Sequence, residues 1–172
     1  MRRRLARTIR TLTALASLAA LGTLAVPAIA QAQATPPDPA TKGQVMAVVK
    51  RMFDGMRAAD SSMVHSTFHE QLRMVTVAKG RDGQLRFTAE STPDGFLKAV
   101  GTPRPAMLDE RIFNERVEID GPLASVWVDY NLYLGDKFMH CGIDHFLLTR
   151  GDDGAWKIFS LADTRRTEGC KP

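Results

Sequence analysis

The segment from Ser125 to Arg166 constrains the fold more than any other part of the chain. It contains three runs rich in β-branched and aromatic residues, separated by short stretches of Gly and Asp. Runs with this punctuation are typical of consecutive antiparallel strands joined by tight turns. We therefore predict three strands in this segment: Val126–Leu134, Phe138–Thr149 and Trp156 to about Thr164.

Residues 1–34 have the pattern of a secretory signal peptide. Five arginines precede a short apolar run, and small-x-small sites end at Ala30 and Ala34. The run is short for a membrane anchor, so we predict cleavage after Ala30 or Ala34 and a periplasmic or secreted protein without membrane contact. The whole chain has 23 basic and 19 acidic residues, and without those five arginines the balance is 18 to 19. The basic pI therefore gives no reason to expect a nucleic-acid partner.

A Pro-rich linker over residues 35–42 precedes a helical pattern that starts at Gly43. Apolar residues from Val45 to Met56 recur at spacings of three and four, which places them on one face of a helix. Helices early in the chain and a mostly antiparallel sheet late in it predict a single α+β domain over residues 43–172. Between the first helix and the three strands we predict a short helix after Asp60, a hairpin of strands 71–78 and 84–88, a short helix ending at Gly101 and a strand over 110–119.

The two cysteines of the chain, Cys141 and Cys170, point to a covalent link. Export places them in an oxidising compartment, which favours a disulfide that ties the C-terminal tail to the sheet. The alternative is two unpaired thiols, with Cys141 buried in a strand.

The turn at Gly135-Asp136 predicts which side chains share a face of the sheet. If Leu134 pairs with Lys137, strict alternation places Asp144 opposite Trp127. The opposite face, which includes Tyr130, is almost wholly apolar and would need helices or a partner subunit to cover it. The first face has the mixed composition of a ligand pocket: Trp127, Asp129, Asn131, His140, Asp144, Phe146 and Leu148.

In the third strand we expect Lys157 to be exposed, and this decides which of the alternating side chains face the pocket. Its neighbours on the other face would point to the pocket side, and the strand end would carry Asp163 and Arg165 near the rim. The residues predicted on the pocket side are Trp156, Ile158, Ser160 and Ala162.

Asp144 and His140 support a functional interpretation and a structural one. In an enzyme, Asp144 would be a buried base with a raised pKa, His140 its partner and Trp127 a stacking wall for the substrate. In the structural interpretation, which is the more common, Asp144 and His140 satisfy each other and Asp163 pairs with Arg165.

Other chemistries have little support in the sequence. The chain contains no nucleophile motif, P-loop or dinucleotide fingerprint. His65 and His69 lack the Glu that follows the first His in metalloproteases, and His145 falls on the opposite face from His140. We therefore expect neither a metal nor a cofactor.

Four short motifs carry a resemblance to a known family. They are V-W-V-D-Y at 126–130, H-C-G-x-D at 140–144, W-K-I at 156–158 and D-T-R at 163–165. With them, residues 43–166 resemble the putative lumazine-binding family of the nuclear transport factor 2-like (SnoaL-like) superfamily. The resemblance implies a curved, mostly antiparallel sheet wrapped as a cone around the N-terminal helices, with a pocket at its open end, often in a dimer. Its members include isomerases, dehydratases and cyclases as well as proteins that only bind.

We therefore predict an exported small-molecule-binding protein. One alternative is a cofactor-free enzyme of the isomerase, dehydratase or cyclase type, in which Asp144 and His140 transfer a proton. Another is a dimeric interaction scaffold that uses the apolar face, and a homodimer is also compatible with the first two functions. The residues predicted to contact the ligand are Trp127, Asp129, Asn131, Phe146, Asp163 and Arg165.

Overall fold

The computed structural model describes residues 38–171. The predicted signal peptide, its cleavage sites and residues 35–37 of the predicted linker lie outside the described residues. No helix within the described range is long and apolar enough to span a membrane. In chain order the described elements are α1 (Pro39–Arg57), α2 (Ser61–His65), β1 (Phe68–Lys79), β2 (Leu85–Glu90), α3 (Asp94–Gly101), β3 (Leu108–Asp120), β4 (Leu123–Leu134), β5 (Lys137–Arg150) and β6 (Trp156–Arg165).

Helix α1 begins four residues before the predicted start at Gly43. The Asp38 carboxylate accepts hydrogen bonds from the backbone N–H and the hydroxyl of Thr41, at 3.0 and 2.9 Å. Pro39 occupies the first turn, where its missing N–H costs nothing and its fixed φ favours the helix. The prediction of a linker over residues 35–42 is therefore wrong for residues 39–42.

The apolar stripe of α1 packs on the sheet, as predicted. Its residues Val45, Val49, Met52 and Phe53 are almost fully buried. The ring of Phe53 meets Phe146 of β5 edge to face, with 6.0 Å between centroids. Burying a side chain of this size stabilises the fold by about 1.5–3 kcal/mol, so the stripe fixes the helix on the sheet.

The six described strands form one curved, unclosed sheet in the order β2-β1-β6-β5-β4-β3. Neighbouring strands are antiparallel except β1 and β6, which are parallel. The concave face carries the helices and the hydrophobic core, and the convex face points away from them. The predicted α+β class and the three-stranded unit are confirmed.

An extra residue in β5 changes the predicted faces. Leu134 pairs with Lys137 as predicted, but Leu132 pairs with His140 and Tyr133 with Phe138, which leaves Met139 as a β-bulge. Because side chains alternate, one inserted residue turns every later side chain of β5 to the other face. Asp144 therefore lies opposite Val128 and not opposite Trp127. The predicted common face is wrong: Trp127, Asp129 and Asn131 lie on the convex face, whereas His140, Asp144, Phe146 and Leu148 lie on the concave face.

A second bulge has the same effect in β6. Leu148 pairs with Ile158 and Leu147 with Ser160, so Phe159 is the additional residue. Trp156 and Ile158 are in the core beneath the helices, as predicted. Beyond the bulge each side chain points to the face opposite to the predicted one. The prediction is therefore wrong for Ser160 and Ala162, which lie on the convex face.

The disulfide between Cys141 and Cys170 is confirmed. The sulfur atoms are 2.07 Å apart, and the bond links positions 29 residues apart in the sequence. Closing a loop of this length stabilises the folded state by roughly 3–4 kcal/mol in the chain-entropy model. Backbone hydrogen bonds of 2.8 and 2.9 Å also join Arg166 to Cys141, so the tail is held against the convex face.

Gly142 permits a close contact between three strands. It lies directly opposite Tyr130, whose hydroxyl donates a 2.9 Å hydrogen bond to the carbonyl oxygen of Thr164. A Cβ atom at position 142 would lie 1.7 Å from that oxygen and 2.7 Å from a ring carbon of Tyr130. The missing side chain is therefore a condition for this hydrogen bond.

We expect Gly142→Ala to destabilise the protein by about 3 kcal/mol, because the backbone carbonyl of Thr164 must move to admit the methyl group. The measurement is the free energy of unfolding in urea. Gly43→Ala is the matched control, since nothing lies within 4 Å of a Cβ at this position in α1. It should stabilise the helix by about 0.5–1 kcal/mol. Equal stability of Gly142→Ala and the unsubstituted protein would contradict the packing argument.

Candidate functional site

A cavity of about 200 Å³ lies on the concave face between the sheet and helices α1 and α3. Much of its wall is apolar and includes Met52 and Met56 of α1, Met74 of β1, and Phe96 and Ala99 of α3. Adjacent strands contribute its polar side chains, which are Glu110, Tyr130, His140, Asp144, Asp163 and Arg165.

Strand alternation explains why these polar groups converge. Glu110 lies between Leu108 and Ile112 on the inward face of β3, and Tyr130 lies opposite Ile112 on β4. The bulge in β5 turns Asp144 inward, where it is directly opposite Asp163 of β6. The two bulges thus assemble a polar cluster that regular strands would have divided between two faces.

Glu110 and Asp144 form a pair of carboxyl groups. Asp144 is only 4% exposed and lines the same cavity as Glu110, and one of its carboxyl oxygens is buried without a hydrogen-bond partner among the described residues. Two carboxyl groups buried in one cavity repel each other when both are ionised, so the protonated form of one of them is favoured. Burial and the neighbouring Glu110 charge raise the pKa of Asp144 well above 3.8, and burial raises the pKa of Glu110 to about 7. Asp144 is therefore the group that keeps its proton, and Glu110 titrates near neutral pH.

Asp163 is a fixed negative charge beside this acid pair. Arg165 Nε donates to its carboxylate at 2.6 Å, and the Thr76 hydroxyl donates at 2.6 Å. The ion pair between Asp163 and Arg165 predicted at the strand end is present. The charge of Asp163 adds to the rise in the pKa of Asp144.

His140 interacts with Tyr130 and not with Asp144. Its Nδ1 lies 3.1 Å from the Tyr130 hydroxyl, whose single hydrogen is donated to Thr164. Nδ1 must therefore carry the ring hydrogen, which leaves Nε2 with a lone pair when the ring is neutral. Burial and the nearby Arg165 charge lower the pKa of His140, so this neutral form persists to lower pH. Within the described residues, His140 and Asp144 share the cavity but no hydrogen bond.

The other predicted ligand-binding residues lie away from this cavity. Trp127, Asp129 and Asn131 are on the convex face, and Phe146 is fully buried in the core against Phe53. Asp129 accepts from the Asn114 amide at 2.7 Å and from Lys171 at 2.6 Å. These two donors lower the pKa of Asp129, which is an ion-paired carboxylate on the convex face and not a base with a raised pKa.

Two cavity residues were absent from the sequence prediction. Glu110 was placed in a strand without a role, and Tyr130 was assigned to the apolar face. The alternation of Leu108, Glu110 and Ile112 was a usable signal, because a carboxylate between two inward apolar residues must face the core. No comparable pattern in the sequence marked Tyr130. It faces inward, and it lines the cavity only because the bulge in β5 brings His140 to the same face.

A metal centre has no support among the described residues. No group of three or more His, Cys, Asp or Glu side chains within residues 38–171 could hold an ion. His65 is in α2 and His69 in β1, so they do not share a helix. His145 lies on the convex face, opposite to His140 as predicted, and its Nε2 is 3.0 Å from the Ser125 hydroxyl.

A curved sheet with helices and a polar-ended cavity on its concave face defines the class of nuclear transport factor 2-like, or cystatin-like, proteins. A nuclear transport factor 2-like protein of unknown function from Shewanella baltica has a TM-score of 0.57 and 18% identity over 77% of this chain and 99% of that chain. A nuclear transport factor 2-like protein with a cystatin-like fold from Novosphingobium aromaticivorans has a TM-score of 0.61 and 10% identity over 74% and 82%. A putative ketosteroid isomerase from Shewanella frigidimarina has a TM-score of 0.53 and 14% identity over 70% and 94%.

The family model described as "Putative lumazine-binding" matches residues 40–161. The chain belongs to this family, and the resemblance recognised in the sequence is confirmed. No curated protein matches the chain. At identities below one fifth the solved structures establish the fold alone.

The acid pair predicts a specific dependence of stability on pH. The pKa of Glu110 is about 7 in the folded state against 4.5 for an unperturbed side chain, so the folded protein binds more protons between these values. The contribution of Glu110 to the free energy of unfolding is therefore fully present below pH 4.5. It is lost as the pH rises through 7, by up to about 1.4 kcal/mol per pH unit. Urea unfolding at several pH values measures this slope.

Glu110→Gln should reduce the slope by the contribution of one proton while preserving the shape of the side chain. Glu118→Gln is the matched control, because Glu118 is exposed on the same strand. A slope that is identical in the unsubstituted protein and in both variants would exclude a proton shared at Glu110.

Proposed function

We propose that this protein binds a small organic molecule in the concave cavity. The observation that carries the proposal is the acid pair of Glu110 and Asp144, which faces a cavity with otherwise largely apolar walls. Burying two carboxyl groups costs free energy unless they make hydrogen bonds, so a pair kept at a cavity wall favours a role in ligand contact over a role in stability.

The cavity limits the size and polarity of the ligand. Its volume of about 200 Å³ is below the range of roughly 300–1,000 Å³ that is common for drug-sized ligands. A compact, mostly apolar molecule with one or two hydrogen-bonding atoms directed at the acid pair fits these walls. The description of the family supports small-molecule binding, but lumazine itself is not part of the proposal.

Export is part of the same proposal. The N-terminal pattern of residues 1–34 supports it, and the disulfide between Cys141 and Cys170 is of the kind that persists outside the reducing cytosol. A homodimer and an interaction scaffold on the convex face stay predictions.

Closing the cavity mouth should abolish binding. Ala99 is an exposed residue of α3 that lines the cavity, so Ala99→Trp places a large ring at the entrance without replacing a core side chain. We expect the affinity for 1-naphthol, a compact apolar probe with one hydroxyl, to fall by about tenfold or more. Saturation-transfer NMR and calorimetry measure this change, and native mass spectrometry shows whether a co-purified ligand is lost as well.

The control for this substitution is Ala89→Trp, since Ala89 is exposed on β2 and does not line the cavity. It should bind the probe like the unsubstituted protein. Equal binding by Ala99→Trp and Ala89→Trp, or no binding by any of the three proteins, would contradict the proposed function.

A second candidate function is proton transfer on the bound molecule. The observation that favours it is a Glu110 pKa of about 7, the range in which a carboxylate is an effective base at neutral pH. Glu110 would accept the proton, and protonated Asp144 would donate a hydrogen bond to the substrate oxygen. His140 would accept a hydrogen bond through the lone pair of Nε2. This assignment differs from the predicted one, in which Asp144 was the base.

Deuterium exchange at the α-carbon of a small ketone such as 1-indanone tests this function. Glu110→Gln should slow exchange by about 10²–10⁴-fold, because the residue that accepts the proton is lost, while binding of the ketone persists. Glu118→Gln serves again as the control and should leave the rate unchanged. If the protein binds the ketone but does not accelerate exchange, it is a binding protein and the enzymatic alternative is wrong.

A further inference from the structure

A second concave region lies on the convex face, on the opposite side of the sheet from the cavity. It is an open groove of about 750 Å³ between β3, β4 and the C-terminal tail, large enough for a small-molecule ligand. The lining residues used below are Asn114, Glu115, Arg116, Trp127, Arg166 and Lys171.

The tail forms one wall of this groove and is held there by three bonds. The disulfide links Cys170 to Cys141, Lys171 Nζ lies 2.6 Å from the Asp129 carboxylate, and the Lys171 carbonyl accepts from the Asn131 amide at 2.8 Å. One covalent bond and two hydrogen bonds hold Cys170 and Lys171 more firmly than an unattached chain terminus would be held. The groove therefore has this form in the oxidised protein, in which the disulfide and both non-covalent contacts hold the tail.

A bulge in β3 forms the facing wall. Phe113 pairs with Asp129 and Arg116 pairs with Trp127, so one additional residue lies between them on β3. Asn114 adopts a left-handed conformation with φ of 55° there and donates its amide hydrogen to Asp129 at 2.7 Å. The bulge and the pairing after it bring the guanidinium carbon of Arg116 to 5.3 Å from the centroid of the Trp127 ring.

Trp127 gives the groove an aromatic surface. Its side chain is 40% exposed, and its ring lies against His145 with 5.5 Å between centroids, which supports it from one side. A large exposed ring is costly in water and is a common anchor for flat ligands.

The charges of the groove favour an anion. Asp129 is paired with Asn114 and Lys171. Arg116 and Arg166 form no ion pair with any residue in the range 38–171. A guanidinium beside an aromatic ring presents both a donor fork for a carboxylate and a stacking plane. Glu115 is the remaining acidic side chain at the groove, so two guanidinium groups face one carboxylate.

We propose that this groove is a second binding site, which takes a planar aromatic carboxylate. The ring of the ligand stacks on Trp127, and its carboxylate receives hydrogen bonds from Arg116 and Arg166. Because Lys171 lines the groove and the disulfide of the adjacent Cys170 holds it there, the site is complete in the oxidised protein and binds more weakly when the disulfide is reduced. It is independent of the ligand in the concave cavity.

Binding of 2-naphthoate to protein purified from expression of the full-length chain tests the proposal. The chain has two tryptophans, Trp127 and Trp156, so NMR follows two indole N–H signals, and the variant Trp127→Phe assigns them. We expect 2-naphthoate to shift the Trp127 signal and leave that of buried Trp156 in place. Its uncharged analogue, 2-naphthamide, should bind about tenfold more weakly, because it cannot form charged hydrogen bonds.

Variants separate the contributions of charge, tail and cavity. Arg116→Gln and Arg166→Gln should each weaken 2-naphthoate by about tenfold. Cys170→Ser should weaken it to a similar extent, as should reduction of the unsubstituted protein, with circular dichroism to show that the fold persists. Glu110→Gln, which changes only the concave cavity, should leave the affinity for 2-naphthoate unchanged.

Three results would overturn the proposal. One is equal binding of the acid and the amide, which would show that charge is not recognised. Another is undiminished binding by folded Cys170→Ser, which would show that the tail is not part of the site. The last is a Trp127 signal that does not respond to 2-naphthoate, including the case in which a second copy of the chain covers this face.

Discussion

The position of one additional residue, Met139 in β5, decides how this molecule is organised. Alternation in a strand is strict, so an inserted residue exchanges the two faces for every residue that follows. Without it, Asp144 would face solvent together with Trp127, and Cys141 would point towards the helices. The bulge therefore places the acid at the cavity and the cysteine within reach of the tail. Both proposed sites depend on this irregularity.

The chemistry of the cavity follows from a balance of charge in a confined space. Asp163 is neutralised by Arg165, so the remaining two carboxyl groups must share the available proton. Repulsion and burial together keep Asp144 protonated and place the titration of Glu110 near neutral pH. The same arrangement gives a hydrogen-bond donor and an acceptor in one cavity among methionine and phenylalanine side chains, which is why the two proposed functions, binding and proton transfer, use the same residues.

Much of the fold could be predicted from the sequence, because it depends on local signals. The apolar stripe of α1, the Asp60 cap of α2 and the Gly-Asp turns each indicate an element without knowledge of its neighbours. The start of α1 was missed because a Pro-rich segment is typical both of a linker and of a first helical turn.

The candidate site could be predicted only in part, since it depends on register. Asp144, His140, Asp163 and Arg165 were identified and do line one cavity. Their grouping with Trp127 was wrong, because nothing in the residues Phe138 to His140 distinguishes a bulge from a regular strand. Glu110 was missed for a related reason, since its partner in the acid pair lies two strands away in the sheet.

The strand order has a consequence for the route by which the chain folds. β1 and β2 meet the rest of the sheet only through β6, which is the last strand and inserts between β1 and β5. The N-terminal hairpin therefore has no sheet partner until residues 156–165 are available, and the contacts that complete the sheet span almost the entire domain. Such long-range closure is slow, so a nascent chain exposes the edge of β1 to chaperones and to other chains until β6 has been synthesised.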